Sequence, residues 1–480
     1  MRRLLPLLLL VLVLLGCSAS GLPPEDSRQE LVQLRYYTIG RADPDLAAVN
    51  GALNDLLAER YGFTVDYRKI DWNDYENTMN GILNTDQNFD IMFTWDTHYA
   101  RNAANGAFLD LEPYLTGEGQ DLYEAVNPQL WHGARVDGRI CGVPTNKELA
   151  PVVQFLFSKD LVEKYGVDIT KYNTLAALEP LLVRISRGEP DVIPLLFTSE
   201  RVDLAQLLGF EYVAGSDLPL VVRSDDPQCR VENLYETEEM QQLQATLRRF
   251  YEHGLINADA TIRTAISRFS SEEVFCRIAT GGPESAQSFS VDFGYPIVCS
   301  FASRPYITNA SARGGIMAVS AGTAHPQECL TFLSAVNLDP EVRNLLNFGI
   351  EGRHYVLNDQ DQVEVISDRY RGVPYTQGNW YILKTMAGEE PDKWDRYRDY
   401  NRSARASYLL GFEPELTGLE TLCTEVSRVY SRFDNPLLTG SVDPELYRPR
   451  ALEQMEEAGI ENLRRALQSQ VDDWLAGAGK

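Results

Sequence analysis

The sequence predicts an α/β protein with mixed, mainly parallel sheets flanked by helices. In residues 31–107, strand-like runs (Leu31–Ile39, Phe63–Ile70, Phe89–Trp95) alternate with helical patterns (Pro44–Arg60, Asp71–Leu83, His98–Ala107). That rhythm is the signature of βαβ units and a parallel sheet. Phe89–Trp95 is almost continuously apolar, as a strand covered on both faces must be. The chain has 480 residues, enough for about three average domains or two large ones.

The chain begins with Arg2 and Arg3, an apolar run Leu4–Gly16 broken only by Pro6, and Cys17. This run falls short of the ~20 apolar residues a spanning helix needs. A charged start, a short apolar core and a small-residue exit describe a secretory signal, residues 1–16. The ending Leu-Leu-Gly-Cys resembles the lipobox of bacterial lipoproteins. That resemblance implies cleavage before Cys17, acylation of Cys17, and a membrane anchor made of lipid. Residues 17–30 are small, polar and Pro-containing, and read as a flexible tether. Cleavage removes two arginines and no acid, taking the net charge from −25 to −27. Such a charge argues against nucleic acid and against electrostatic adsorption on anionic lipid. Cys141, Cys229, Cys276, Cys299, Cys329 and Cys423 show no metal-type spacing, and their pairing stays open. No metal or cofactor is expected.

After the first strand, Gly40–Asp45 turns, and Asp43 or Asp45 caps the helix that carries Leu46, Val49, Leu53, Leu56 and Leu57 on one face. Gly62 stops it. Asp71 caps the next helix, with Tyr75, Met79 and Ile82 inward. Further on, Leu175, Leu178, Leu181, Leu182 and Ile185 mark a helix ended by Gly188. Ile193–Thr198 reads as a strand, Glu238–His253 as a helix, Val274–Gly282 and Ile316–Ser320 as strands, and Pro326–Val336 as a helix. Asn358–Asp361 reads as a hairpin tip. Glu456–Gly477 is an amphipathic helix packing Ile460, Leu463, Leu467, Val471 and Trp474.

Several of these segments resemble extracellular solute-binding proteins of the carbohydrate type. They are DIMFTWDTHYARNAANGAFLDLEPYL (Asp90–Leu115), GRICGVPTNKELAPVVQFLFSKDLVEKYGVD (Gly138–Asp168), RFYEHGLINADA (Arg249–Ala260) and VFCRIATGG (Val274–Gly282). GIEGRHY (Gly349–Tyr355), QGNWY (Gln377–Tyr381) and the amphipathic C-terminus resemble the LipO-type binding lipoproteins, which carry a C-terminal domain of uncharacterised role. The resemblance implies a two-lobed periplasmic-binding-protein-like fold of class II with a helical C-terminal extension. Its N-terminal lobe is expected from residues 31–145 and 300–338, its C-terminal lobe from residues 146–299 and 339–480.

Ligands of open α/β sheets lie outside the carboxyl ends of the strands. Trp95 and Asp96 stand at such an end, either as stacking face and hydroxyl acceptor or as a buried ring beside a helix cap. Asn146, Lys147 and Glu148 follow Gly-Val-Pro at the expected crossing between lobes, where they line a cleft or form a solvated turn. Asn379 and Trp380 offer an aromatic platform from the second lobe, with core packing as the alternative. Tyr37 is a further candidate. Sugar binders of this family often carry a stacking aromatic after the Gly-Pro of residues 282–283. Glu284 stands there instead and could accept sugar hydroxyls. His354 is assigned a hydrogen-bonding role near the hinge rather than acid–base chemistry.

There is no G-x-S-x-G, H-E-x-x-H or P-loop in the chain. The expectation is therefore a monomeric, lipid-anchored receptor on the extracytoplasmic face of the cell membrane, not an enzyme. It captures a carbohydrate and delivers it to the permease of an ABC importer. The alternatives are a sensor subunit for a signalling partner and a secreted glycan-active enzyme.

Overall fold

The computed structural model describes residues 31–85, 89–199, 204–263 and 273–478. The leader, Cys17 and the tether lie outside these residues.

The chain opens with β1 (Val32–Ile39), α1 (Leu46–Tyr61), β2 (Phe63–Ile70), α2 (Tyr75–Asn84), β3 (Ile91–Thr94) and α3 (Asp96–Ala104). β1 pairs in parallel with β2 on one side and β3 on the other, the arrangement that βαβ crossovers impose. Gly62 ends α1 at φ 76°, a left-handed position suited to glycine. The expected carboxylate caps do not form. The start of α1 has no side-chain cap, because Asp43 and Asp45 are spent on cations. Asp71 accepts from Asn73 N in the turn before α2 rather than capping it.

β4 (Gly142–Pro144) closes the far edge of this sheet and leads into the second lobe. That lobe contains β5 (Val152–Ser158), α4 (Leu175–Gly188), β6 (Ile193–Leu195), α5 (Glu238–Glu252), β7 (Val274–Gly281) and β8 (Ile297–Phe301). The chain then returns as β9 (Ile316–Val319) between β3 and β4, completing a first-lobe sheet ordered β2-β1-β3-β9-β4. The second-lobe sheet is ordered β8-β5-β7-β6, with a separate three-stranded sheet from residues 210–212, 220–223 and 232–233. Parallel pairing holds in the β1–β3 half of the first sheet and for β7 with β6. β9 is antiparallel to β3 and β4, and β5 is antiparallel to β7 and β8. The sheets are thus more mixed than the sequence rhythm implied, because β4, β5, β8 and β9 are set by the chain's passage between lobes rather than by βαβ units.

Beyond β9 come α6 (Pro326–Leu338), α7 (Pro340–Phe348), α8 (Lys393–Ser403), α9 (Glu420–Leu438), α10 (Pro444–Glu457) and α11 (Ile460–Ala478). Two apolar cores cover the two faces of the first sheet, and a third fills the second lobe. Residues 340–383, expected in the second lobe, pack on the first. Val342 and Leu346 enter its core, Arg60 holds Asp339 at 2.8 Å, and Tyr36 OH donates to Gln377 Oε1 at 2.9 Å. His354 is fully buried there. Its Nδ1 accepts from Ile350 N at 2.8 Å and its Nε2 lies 3.2 Å from Asp45 Oδ2. α9, α10 and α11 complete the core of the second lobe through Val426, Tyr430, Met455, Leu463, Leu467 and Val471. α11 starts later than expected, after a break at Gly459 (φ 93°), but buries the predicted face. The 355–365 hairpin has its tip at Asn358–Asp361, as expected. The six described cysteines are free thiols.

Candidate functional site

The lobes are joined at residues 145–151 and 302–306, and residues 377–413 run alongside these crossings. Trp380 N donates to Asn146 O at 3.0 Å, and Asn146 N donates to Gly378 O at 2.9 Å. Tyr306–Ile307 pairs in parallel with Arg405–Ala406. The candidate site is the ground around these crossings, at the carboxyl ends of the first-lobe strands.

The first-lobe wall is aromatic. Trp95, directly after β3, stacks on Phe93 at 5.5 Å and 23°, and lies 4.5 Å from the His98 ring. Phe93 meets Tyr375 edge-on at 6.2 Å, and Tyr375 meets Trp72 at 6.1 Å. Trp72 follows β2 and Trp95 follows β3, the two parallel strands that flank β1, so the same end of the sheet delivers the two ends of one aromatic ribbon. His98 Nε2 lies 3.0 Å from Glu76 Oε1 on the neighbouring helix. Trp95 occupies the cap position of α3, which has no side-chain cap. Asp96 adopts φ 36°, and its N–H donates to Arg313 O at 3.0 Å. A non-glycine residue in that region is strained, and such strain clusters at functional positions.

The floor is the Lys147–Glu148 pair. Lys147 Nζ donates to Glu148 Oε1 at 2.8 Å, and Glu148 Oε2 is buried without a hydrogen-bond partner. Lys147 O accepts from Tyr381 OH at 2.7 Å and from Asn401 Nδ2 at 3.0 Å. The phenols of Tyr381, Tyr397 and Tyr400 are pushed up, first by burial and then by the Glu148 charge.

The opposite wall gathers Trp380, Tyr381, Trp394 and Tyr397, with ring centres 5.6–6.3 Å apart. Tyr397 on α8 fills the space over Gly282, where a Cβ would meet its ring at 3.1 Å. Glu284 lies beside it, 3.2 Å from Arg396. Thus α8 brings aromatic surface to the Gly-Pro turn that lacks its own.

The structure brings Lys147, Glu148, Asn146, Asn379 and Trp380 together at the first crossing, and places Trp95 and Asp96 at the end of β3. Asn146 and Asn379 have their amides committed to backbone: Asn146 Nδ2 donates to Ala125 O at 2.9 Å, and Asn379 Nδ2 to Asn337 O at 3.2 Å. Tyr37 is buried within the first lobe, its hydroxyl accepting from Arg68 at 2.9 Å. Trp380 donates its indole N–H to Pro374 O at 2.9 Å. Trp131, Trp394 and Trp474 likewise donate to backbone carbonyls. Among the described residues, Trp72 and Trp95 have no such acceptor. Sequence reasoning passed over Trp72, although it stands just beyond the carboxyl end of a parallel strand, as Trp95 does. Trp394 and Tyr397 carried no local signal, since only the fold brings α8 to the crossing. Among the described residues, no cluster of His, Cys, Asp and Glu could hold a metal.

Two α/β lobes joined by short crossings, with aromatic faces and a polar floor between them, define a two-lobed solute-binding protein. The chain belongs to the bacterial extracellular solute-binding protein family, whose model matches residues 52–349. A model of a domain of unknown function matches residues 408–476. The chain is 27% identical over 458 residues, 92% of this chain and 91% of the other, to a carbohydrate ABC transporter substrate-binding protein of Streptococcus pneumoniae. A crystal structure of the N-glycan transport solute binding protein NgtS from Streptococcus pneumoniae superposes with a TM-score of 0.85 at 26% identity, covering 93% of this chain and 99% of that one. The NgtS complex with Man5GlcNAc gives a TM-score of 0.75 at 26% identity, with the same coverage. An ABC-transporter associated solute-binding protein from Bifidobacterium longum infantis, described as HMO binding, shares the fold, with a TM-score of 0.65 at 14% identity over 93% of this chain and 99% of that one.

Proposed function

We propose that this protein is a lipid-anchored receptor on the extracytoplasmic face of the membrane that takes a neutral oligosaccharide between its lobes and delivers it to an ABC permease. The observation that carries this reading is the aromatic ribbon at the strand ends of the first lobe, with indole N–H groups that meet no acceptor among the described residues. An indole face suits the apolar face of a sugar ring, and its N–H suits a hydroxyl. Glu148 Oε2 supplies an acceptor that hinge motion could expose. Lys393, Arg396, Arg398 and Arg402 on α8 are each paired with a carboxylate, so that wall has little charge left for an anionic ligand. The NgtS complexes make mannose-containing N-glycan fragments the first ligands to try. The lipobox-like Leu-Leu-Gly-Cys17 supports the anchor.

Isothermal titration of the chain from Ser18 onward with Man5GlcNAc tests the reading. Binding is expected, together with a rise in melting temperature, because a ligand that binds only the native state stabilises it. Trp95→Ala should weaken binding about tenfold, the loss expected from one aromatic contact near the upper end of its range. Binding that survives Trp95→Ala unchanged removes the ribbon from the site.

A further inference from the structure

We infer that Trp72 is an outer sugar platform that makes this site discriminate ligands by length. The inference rests on the glycan reading above and adds a residue and a selectivity to it. Trp72 is 49% exposed, an unusual state for an indole whose burial would stabilise the fold. It is held out by a defined turn: Asp74 N donates to Asp71 O at 3.0 Å, and Asn73 N donates to Asp71 Oδ1 at 3.2 Å. The ring is therefore presented before any ligand arrives, which lowers the entropy lost on binding.

Three further observations point the same way. Trp72 lies at the carboxyl end of β2, one strand removed from the β3 that delivers Trp95 and at the same end of the sheet, where ligands of open parallel sheets bind. Of the six tryptophans in the chain, it shares with Trp95 the lack of a protein acceptor for its N–H. It also belongs to the same ribbon, but Tyr375 and Phe93 stand between the two indoles. One sugar ring stacked on Trp95 therefore does not reach Trp72. A longer or branched saccharide running along the ribbon does. Glu76 and His98, in contact at 3.0 Å beside Trp95, offer polar atoms for ring hydroxyls. Trp72 thus counts only for ligands that extend past the first platform.

The test compares two glycans of different size, Man1GlcNAc and Man5GlcNAc, by isothermal titration against the chain from Ser18 onward and its Trp72→Ala, Trp72→Phe and Trp95→Ala variants. Trp72→Ala should weaken Man5GlcNAc by about tenfold and leave Man1GlcNAc within a factor of about two, as loss of one stacking contact predicts. Trp72→Phe should restore most of the loss, and Trp95→Ala should weaken both ligands. An exposed ring tolerates truncation, so the melting temperature of the free variants should stay close to that of the parent. Equal effects of Trp72→Ala on the two glycans, including no effect on either, overturn the length-selective platform while leaving the glycan site standing. Failure of the parent protein to bind either glycan overturns the glycan reading and this inference with it.

Discussion

Glu211 gives a stability prediction whose sign opposes the usual behaviour of acidic residues. It lies on the Phe210–Tyr212 strand of the second lobe, and its carboxylate accepts a hydrogen bond from the Ser407 hydroxyl. Burial pushes its pKa up from 4.5 to about 7, against the opposing effect of the Ser407 bond. In the unfolded chain the carboxyl ionises near its ordinary value. Between the two pKa values the folded state holds a proton that the unfolded state has lost. Glu211 therefore costs nothing at pH 4, costs progressively more as pH rises, and reaches its full cost above neutrality. At 1.36 kcal/mol per pKa unit the full cost is about 3 kcal/mol, an upper figure because the residue keeps part of its surface in water. Glu211→Gln keeps an acceptor for Ser407 and removes the charge. Urea unfolding of both proteins from about pH 4 to about pH 8.5 isolates the effect as a difference, free of the other carboxylates. The variant should match the parent at the acid end and exceed it by up to about 3 kcal/mol at the basic end. A difference that is flat with pH, or that shrinks as pH rises, refutes the argument.

Two further perturbations test how the lobes are built. Lys69 and Asp43 form an ion pair with no side-chain exposure, and Lys69 Nζ also donates to Arg371 O at 2.7 Å. Asp43→Ala should lower stability by about 3–5 kcal/mol in urea unfolding, by leaving a buried ammonium unpaired, whereas replacing both partners with apolar residues of similar size should recover most of the loss. Ending the chain at Ser407 should leave the second lobe unfolded, seen as rapid proteolysis within residues 152–300. That cut removes Val426, Tyr430, Leu463, Leu467 and Val471, all fully buried in that lobe's core.

Much of the fold was legible because its elements follow local physics. The Leu46–Leu57 stripe, the Leu175–Ile185 stripe and the alternation in Phe63–Ile70 each announce a period and a buried face. Asp43 and Asp45 misled as caps because local chemistry suits them to the start of a helix. Their partners, Lys69, Arg353, His354 and Arg369, arrive from distant sequence and outbid the backbone N–H groups. The lobe boundary at residue 339 failed for a similar reason. α7 carries an apolar face, Val342 and Leu346, that fits either core by pattern. Only Arg60, Tyr61 and Tyr36 on the first lobe decide which. In the candidate site, strand ends were readable, and the structure places Trp95 directly after one. Asn146 and Asn379 looked like ligand donors because amides at a crossing also serve to tie its backbone, which is how the structure uses them.

The C-terminal region is best understood through the carbonyls of the first crossing. Lys147 O and Ala150 O lie on the segment that joins the lobes, and in a bare crossing they would face water. Here Tyr381 and Asn401 donate to Lys147 O, and Tyr400 donates to Ala150 O at 2.6 Å. Asn401 Oδ1 returns the contact by accepting from Leu149 N at 2.9 Å. α8 is thereby fastened to the crossing itself, and any rotation there must carry α8 with it or break these bonds. The same helix holds Trp394 and Tyr397 against Trp380 and Gly282. Ten residues past it, Glu413 pairs with Arg313, whose own carbonyl fixes the backbone of Asp96 beside Trp95. Burial raises the Glu413 pKa and Arg313 opposes it, so the pair is strongest when the carboxylate stays ionised. Both aromatic walls and the crossing between them are therefore mechanically tied to residues 377–413, and α9–α11 anchor that segment by sharing the core of the second lobe. The C-terminal module is thus built into the second lobe and its crossings rather than appended to them.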